Sequence, residues 1–289
     1  MKVIIIGKSG QLANELVAEV PAGIEILSLG RNDVDITSIA EVSKIVNEFN
    51  PAVIINASAY TAVDKAETDI DAAYRINKTA VEIMTKVAKE NNSRFLHVST
   101  DFVFDGNSNI TYEITNETRP TGVYGASKLA GEEAVKEIYP ENSAIVRTSW
   151  VYSSYGNNFV KTMLRLMAEK EQLGVVCDQI GCPTYAKSLA VFLWILAQKN
   201  SIEQTYHWSD AGVASWYDFA VAIQSIGFEQ GLLEKKIGIK AIPSSAYPTP
   251  AKRPKFSLLS ISTSAEIIEP VYWRDQLEDC LKKLKSMEK

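Results

Sequence analysis

Tyr124 and Lys128 stand four positions apart in the stretch Gly122-Val123-Tyr124-Gly125-Ala126-Ser127-Lys128. Helix formers follow: Leu129, Ala130, Glu132, Glu133, Ala134 and Val135. Positions i and i+4 share a helix face, so a phenol and an ammonium are expected side by side. An ammonium beside a phenol favours the phenolate and lowers the tyrosine pKa. Tyr124 is therefore expected to donate or accept a proton near neutral pH, with Lys128 tuning it. The same spacing also describes a half-buried Tyr beside a solvated Lys, so the surrounding elements must decide between the two.

The first of those elements is at the start of the chain. Val3 to Ile6 is a β-branched run, the pattern of a strand buried on both faces in a parallel sheet. It leads into Gly7-Lys8-Ser9-Gly10-Gln11-Leu12-Ala13 and then a helical pattern through Leu16, Val17 and Val20. Strand, glycine turn and helix in that order is the context of a dinucleotide site. Gly7 is expected to make the tight turn, Gly10 to let the backbone approach a pyrophosphate, and Ala13 to permit close helix–strand packing. The helix N-terminus offers free N–H groups to the phosphates. A second strand, Ile24 to Leu29, ends at Gly30-Arg31-Asn32. Arg31 there suits the 2′-phosphate of NADP, or is a surface charge; the nearby Asp33 and Asp35 would instead suit the ribose of NAD.

Further strands are expected at Pro51–Asn56, Arg94–Asp101 and Ala144–Tyr152, with helices at 39–49 (capped by Thr37 or Ser38) and 72–90. Small residues follow Asn56, and hydroxyls with an acid close the next strand at Ser99-Thr100-Asp101. Ligands sit at that edge of an open α/β sheet. Thr100 is placed to hydrogen-bond a substrate oxygen beside Tyr124, and Asp101 a sugar hydroxyl. Trp150 offers a face for a sugar or base, or packs in the core. His97, mid-strand, reads as structural. Asn77, inside a helix where its propensity is low, is expected to bond a specific partner or to be solvated. Pro243, Pro248, Pro250 and Pro254 crowd a loop holding Lys252-Arg253. Arg253 there is suited to clamp a phosphate, unless the loop is a plain linker. Trp273 to Lys289 reads as a charged amphipathic helix.

Composition sets the outer limits. The 289 residues are 46% hydrophobic and 22% charged, an ordinary globular profile, with net charge −5. That balance disfavours nucleic acid and anionic membrane as partners, and no apolar run reaches the length of a membrane span. Cys177, Cys182 and Cys280 are too few for a disulfide framework. They read as reduced thiols of a cytoplasmic protein, and no second cysteine pair or His cluster completes a metal site. The expected fold is α/β, a Rossmann-type doubly wound parallel sheet. Residues 1–150 would form the dinucleotide-binding domain, with part of 170–200 returning to it, and 151–289 a smaller substrate-binding domain.

Over nearly its whole length the chain resembles the extended short-chain dehydrogenase/reductase superfamily. More narrowly, it resembles the dTDP-4-dehydrorhamnose reductases. The stretches that carry this are Gly7–Leu12, Asn56–Glu67, Ser99–Gly106, Tyr124–Glu132, Arg147–Tyr152, Asp178–Thr184 and Arg253-Pro254. The blocks Asn56–Glu67 and Ser99–Gly106 are the ones specific to the reductases. The resemblance implies reduction of dTDP-4-dehydro-β-L-rhamnose at C4 to dTDP-L-rhamnose by NADPH, or sometimes NADH, for cell-surface polysaccharide synthesis. Tyr124 would protonate the new alkoxide, Lys128 would hold the nicotinamide ribose, and Thr100 would polarise the ketone. Gly10, Gln11 and Leu12 would carry the pyrophosphate, Asp35 and Ile36 the adenine, and Ala57, Ala59 and Tyr60 the nicotinamide side. Asp101, Val103 and Trp150 would line the sugar site, with Arg253 near the nucleotide diphosphate. Some members dimerise around magnesium held by glutamates. Glu15 matches one such position, but 186–188 holds no acid, so no metal is expected, in a monomer or a homodimer. The rival readings are an epimerase or dehydratase on the same scaffold, and a cofactor-binding regulatory subunit without turnover. A dehydratase would carry an acid pair near Thr100, where only Asp101 is acidic; a silent subunit would have lost the Tyr or the Lys.

Overall fold

The computed structural model describes residues 1–287. The chain begins β1 (Lys2–Ile6), α1 (Gln11–Ala18), β2 (Glu25–Leu29), α2 (Ile39–Phe49), β3 (Val53–Asn56), α3 (Val63–Ala66), α4 (Ile70–Tyr74), α5 (Ala80–Glu90) and β4 (Arg94–Thr100). It continues with α6 (Val123–Ile138), β5 (Ser143–Thr148), β6 (Val151–Tyr152), α7 (Phe159–Glu169), β7 (Gln172–Val176), β8 (Ile180–Gly181), β9 (Thr184–Tyr185) and α8 (Ala186–Gln198). The last elements are β10 (Thr205–His207), β11 (Ala214–Ser215), α9 (Trp216–Glu229), β12 (Gly238–Ile242), α10 (Ser262–Ala265) and α11 (Trp273–Met287). The expected C-terminal helix thus runs to Met287; Glu288 and Lys289 lie outside the described residues.

The strands β2-β1-β3-β4-β5-β10 form one six-stranded sheet, parallel throughout. Buried strands such as Val3–Ile6 and Val53–Asn56 have apolar side chains on both faces, so helices must cover both. On one face Leu12 and Leu16 of α1 meet Leu189, Phe192 and Trp194 of α8. Trp194 Nε1 donates to the Leu16 carbonyl at 3.0 Å, tying α8 to α1. On the other face Val42 and Val46 of α2 join Val81, Met84 and Val87 of α5. This is the Rossmann-type, doubly wound α/β fold. The order of strands reverses between β1 and β3, which puts a ligand crevice outside their carboxyl ends.

A second core gathers Tyr152, Met163, Tyr185, Phe219, Ile223, Trp273 and Leu277 from α7, α9, α11 and the short strands around them. Within 170–200, β7 pairs with β12 in this second lobe, whereas α8 lies on the sheet.

One expected helix departs from its pattern. Residues 72–90 do not form a single α-helix: Arg75–Thr79, between α4 and α5, is a π turn. Asn77 accounts for it. Its Oδ1 accepts the Tyr60 N–H at 2.8 Å, and its Nδ2 donates to Ser127 Oγ at 3.0 Å and the Tyr60 carbonyl at 3.2 Å. The side chain pins the loop after β3 to the helix that carries Tyr124, and single-turn π segments recur at such functional positions.

Candidate active site

The carboxyl end of β4, the loop after β3 and the start of α6 converge on one crevice. Thr100 ends β4, and its Oγ1 accepts the Phe102 N–H at 3.2 Å, turning the chain into a short 3₁₀ segment, Asp101–Val103. α6 must approach that segment closely. A Cβ on Gly125 would collide with the Phe102 carbonyl, so glycine at this position lets Tyr124 settle beside Thr100. The Phe102 and Tyr124 rings meet edge to face, centroids 5.5 Å apart.

Tyr124 and Lys128 share the first turns of α6, as their spacing requires. Their electrostatics differ from expectation. The phenol is not pulled down by the lysine. Burial pushes it up to about 12, the Thr100 side chain pulls the other way, and the Asp101 charge adds to the rise. The Lys128 ammonium is absent from these influences because it points elsewhere. Its Nζ donates to the Val98 carbonyl at 2.7 Å and lies 3.2 Å from His97 Nε2. Burial lowers Lys128 to about 8, opposed by the charge of Glu132. The i+4 spacing sets the face; the strand beneath sets the direction of the long side chain.

One turn beyond Lys128, Glu132 is fully buried and anchors α6 to the sheet. It accepts from Ser99 Oγ at 2.5 Å, Arg147 Nε at 2.9 Å and Arg147 Nη2 at 2.7 Å. A buried carboxylate is tolerated only when paired and hydrogen-bonded in this way. Neither Glu132 nor Arg147 stands out in the sequence as a pair, because their partnership depends on β5 lying beside β4.

The expected cofactor residues line the β1/β3 switch point. Gly7 has φ +114°, and a Cβ there would come within 2.9 Å of the Ala57 carbonyl oxygen, so only glycine fits the turn. Gly10 caps α1 without a side-chain hydrogen bond, which leaves the first-turn N–H groups of Gln11 and Leu12 for an anion. The Gln11 side chain reaches across to the second lobe, accepting from Asn158 Nδ2 at 2.9 Å. Ala57, Ala59 and Tyr60 are half-buried along the loop after β3. At the end of β2, Asp33 accepts the Gly30 N–H at 2.8 Å, and Asp35 accepts the Thr37 hydroxyl at 2.7 Å. Both acids are held in local turns, while Arg31 is exposed with no ion pair among the described residues. Ile36 packs partly buried against the core below. A dinucleotide with a 2′-phosphate therefore fits this edge: an open cation, a glycine turn with no room for a side chain, and an uncapped helix start.

The expected substrate residues divide. Asp101 is buried, its Oδ1 accepts from Thr100 Oγ1 at 3.0 Å, and its Oδ2 has no partner. Burial pushes its carboxyl up to about 6 against the Thr100 and Ser257 hydroxyls. Trp150 interrupts the strand expected through 144–152. It adopts φ +48°, in the left-handed region, and stacks on Trp216 with centroids 3.6 Å apart. Val103 is fully buried with Phe104, Tyr112 and Leu259, and its side chain packs in a small core beside the Asp101 turn. Arg253 is not free either. It forms a two-pronged pair with Asp64 at 3.0 and 2.8 Å, joining the proline-rich loop to α3.

Glu15, the residue matched to a metal position, is fully buried and paired within the chain. Ser153 Oγ donates to it at 2.6 Å and Lys283 Nζ at 2.7 Å. Among the described residues no cluster of His, Cys, Asp and Glu has the makings of a metal site.

Comparison with known proteins places this geometry. The family model described as "RmlD substrate binding domain" matches residues 1–286. The dTDP-4-dehydrorhamnose reductase of Aggregatibacter actinomycetemcomitans is 41% identical over 287 residues, covering 96% of this chain and 97% of its own. Among solved structures, the dTDP-4-dehydrorhamnose reductase of Bacillus anthracis in complex with NADP superposes with a TM-score of 0.91 at 36% identity, covering 98% and 99% of the two chains. A dTDP-4-dehydrorhamnose reductase of Clostridium acetobutylicum also gives 0.91 at 36% identity, over 99% and 100%. With a full-length family match and relatives of this identity over nearly all of both chains, this protein belongs to the RmlD family of dTDP-4-dehydrorhamnose reductases.

Proposed function

We infer that this chain reduces the C4 ketone of dTDP-4-dehydro-β-L-rhamnose to dTDP-L-rhamnose with NADPH. The observation that carries the reading is the Tyr124 phenol set beside the Thr100 hydroxyl at the carboxyl end of β4, next to the glycine-lined switch point. NADPH, when bound, supplies the hydride for C4. Tyr124 hands its phenolic proton to the oxygen that becomes the C4 hydroxyl. A phenol held up near 12 is protonated at neutral pH, which is the form a reduction needs. Thr100, turning from Asp101, donates a hydrogen bond to the same oxygen, keeping its own proton, and stabilises the charge developing there. Lys128 lies beneath, positioned to orient a ribose and to exchange protons.

The unpartnered Asp101 oxygen accepts a sugar hydroxyl, and the stacked Trp150 and Trp216 offer an aromatic wall. Arg31 meets the 2′-phosphate, so NADPH is bound more tightly than NADH. For Arg253 to reach a nucleotide diphosphate it exchanges the Asp64 carboxylate for phosphate oxygens, which a guanidinium grips in the same two-pronged way. In this reading residues 1–150 with α8 and β10 hold the cofactor, and the second lobe holds the nucleotide sugar. The free cysteines suit a reducing cytoplasmic setting.

The test is stoichiometry. Incubated with the dTDP-4-keto sugar, the protein should consume one NADPH for each ketone lost and yield the alcohol. An epimerase would change the sugar with no net NADPH consumption. A regulatory subunit would bind NADPH and leave the sugar unchanged. Either result would overturn the reading.

A further inference from the structure

Lys128 sits on a hydrogen-bonded chain that starts in the loop after β3. Asn56 Oδ1 accepts the backbone N–H of Ser58 at 3.0 Å and the Ser58 hydroxyl at 2.6 Å. A backbone N–H can only donate, so this contact fixes which end of the Asn56 amide faces which way. The other end, Nδ2, lies 3.0 Å from His97 Nδ1. An amide nitrogen also can only donate, so His97 Nδ1 must carry a lone pair. The imidazole proton is then on Nε2, and Nε2 faces Lys128 Nζ at 3.2 Å. An ammonium has no lone pair with which to accept that N–H; a neutral amine does. The remaining contact of Nζ, with the Val98 carbonyl, is satisfied by either form.

We propose that His97 is a positioning residue: by aiming an imidazole N–H at Nζ, it makes Lys128 an amine that gives up and regains a proton during turnover, not a fixed ammonium. The proposal rests on the reading of Lys128 as part of the reductase site. The other groups around the lysine divide. Glu132 on the same helix favours the ammonium, although its charge is paired with Arg147 from β5. Asn56 from β3 and Asn77 from the π turn are neutral. Tyr124 is held protonated, and Asp101 acts on that phenol. Burial keeps His97 well below its ordinary range, and the lysine adds to this whenever it is charged, so the ring itself stays neutral. Lys128 itself is lowered to about 8. Once Tyr124 has given its proton to the product oxygen, the lysine in its ammonium form can supply the replacement; it is left as the neutral amine that the His97 N–H stabilises, and regains its proton from solvent.

Two measurements test this. In the protein without cofactor, nitrogen NMR of the histidine rings should show His97 as the Nε2–H tautomer, with a bare Nδ1 and no ring titration across about pH 6 to 9. A ring protonated at Nδ1, or an imidazolium, overturns the proposal, and this readout does not depend on catalysis. Second, in His97→Phe the basic limb of the kcat/KM pH profile should move up by about half to one pH unit, the worth of one lost hydrogen bond to the neutral amine. A folded variant with an unmoved limb overturns it. Should the wild type bind NADPH without turning over the keto sugar, the reductase reading fails while the tautomer still decides the His97–Lys128 contact. The tautomer likewise decides if the variant does not fold.

Discussion

Removing Arg147 should both destabilise the protein and slow it, by amounts the geometry allows one to work out. Arg147→Met keeps much of the buried volume, since methionine is long and adaptable. It strips Glu132 of three charge-assisted contacts, at 2.9, 3.1 and 2.7 Å, and leaves the Ser99 hydroxyl and the distant Lys136 ammonium at 3.9 Å. Glu132 has no exposed surface from which to recruit water. Breaking one side of a buried pair of this kind costs roughly 3–5 kcal/mol, because an uncompensated charge stays behind. Against a total stability of about 5–15 kcal/mol this is a large fraction. Urea unfolding would measure the size of the loss. Glu132→Gln added to Arg147→Met should recover a good part of the loss. Because Glu132 anchors the helix that bears Tyr124 and Lys128, kcat should fall as well. A loss below about 1 kcal/mol would refute the view that this pair pins the helix to the sheet.

Other outcomes follow from single contacts. Arg31→Ala should weaken NADPH binding about 10- to 100-fold, the worth of one charge-assisted hydrogen bond or two, and leave NADH binding unchanged; fluorescence titration with both cofactors reads the ratio, and an unchanged ratio would place the 2′-phosphate elsewhere. Lys283→Met leaves the buried Glu15 without its cation, and unfolding at neutral pH should show a loss of about 2 kcal/mol, restored in part by Glu15→Gln. Asp210 is buried, and burial pushes its carboxyl up to about 7 against the Ser188 hydroxyl and the Tyr185 N–H. The folded state then holds that proton more tightly than the unfolded chain. Its contribution is complete below about pH 4 and is lost as pH rises through about 7. Asp210→Asn should flatten that decline; an unaltered slope would mean that another group sets it.

Much of the frame was legible because it is local. A β-branched strand running into a glycine turn and an apolar helix has few other folds open to it, and the structure shows β1, the Gly7 turn and α1 in that order. The Tyr124–Lys128 face followed from helical spacing alone. The odd placement of Asn77 in a helix signalled a specific partner, though not the π turn that its bonds to Tyr60 and Ser127 produce. What escaped were contacts between residues far apart in the chain. The Lys128 side chain follows a carbonyl and an imidazole of the strand below it, so its effect on Tyr124 could not be read from an i+4 spacing. Arg253 meets Asp64, and Glu15 meets Lys283, from opposite ends of the sequence. Val103 lies in a short 3₁₀ segment and packs with Phe104, Tyr112 and Leu259, and its packing against Leu259, far along the chain, could not be read from the sequence. Trp150 breaks its strand through a left-handed conformation for which no glycine gave warning.

The most direct check of the central claim is NADPH consumption with the dTDP-4-keto sugar by the wild type and by Tyr124→Phe, with NADPH affinity measured on both. The account predicts wild-type turnover that falls at least about 10²-fold in the variant, as expected on losing a general acid, while NADPH binding stays within a few-fold. Turnover that survives the loss of the phenol, with binding intact, would contradict the assignment of Tyr124 as the proton donor.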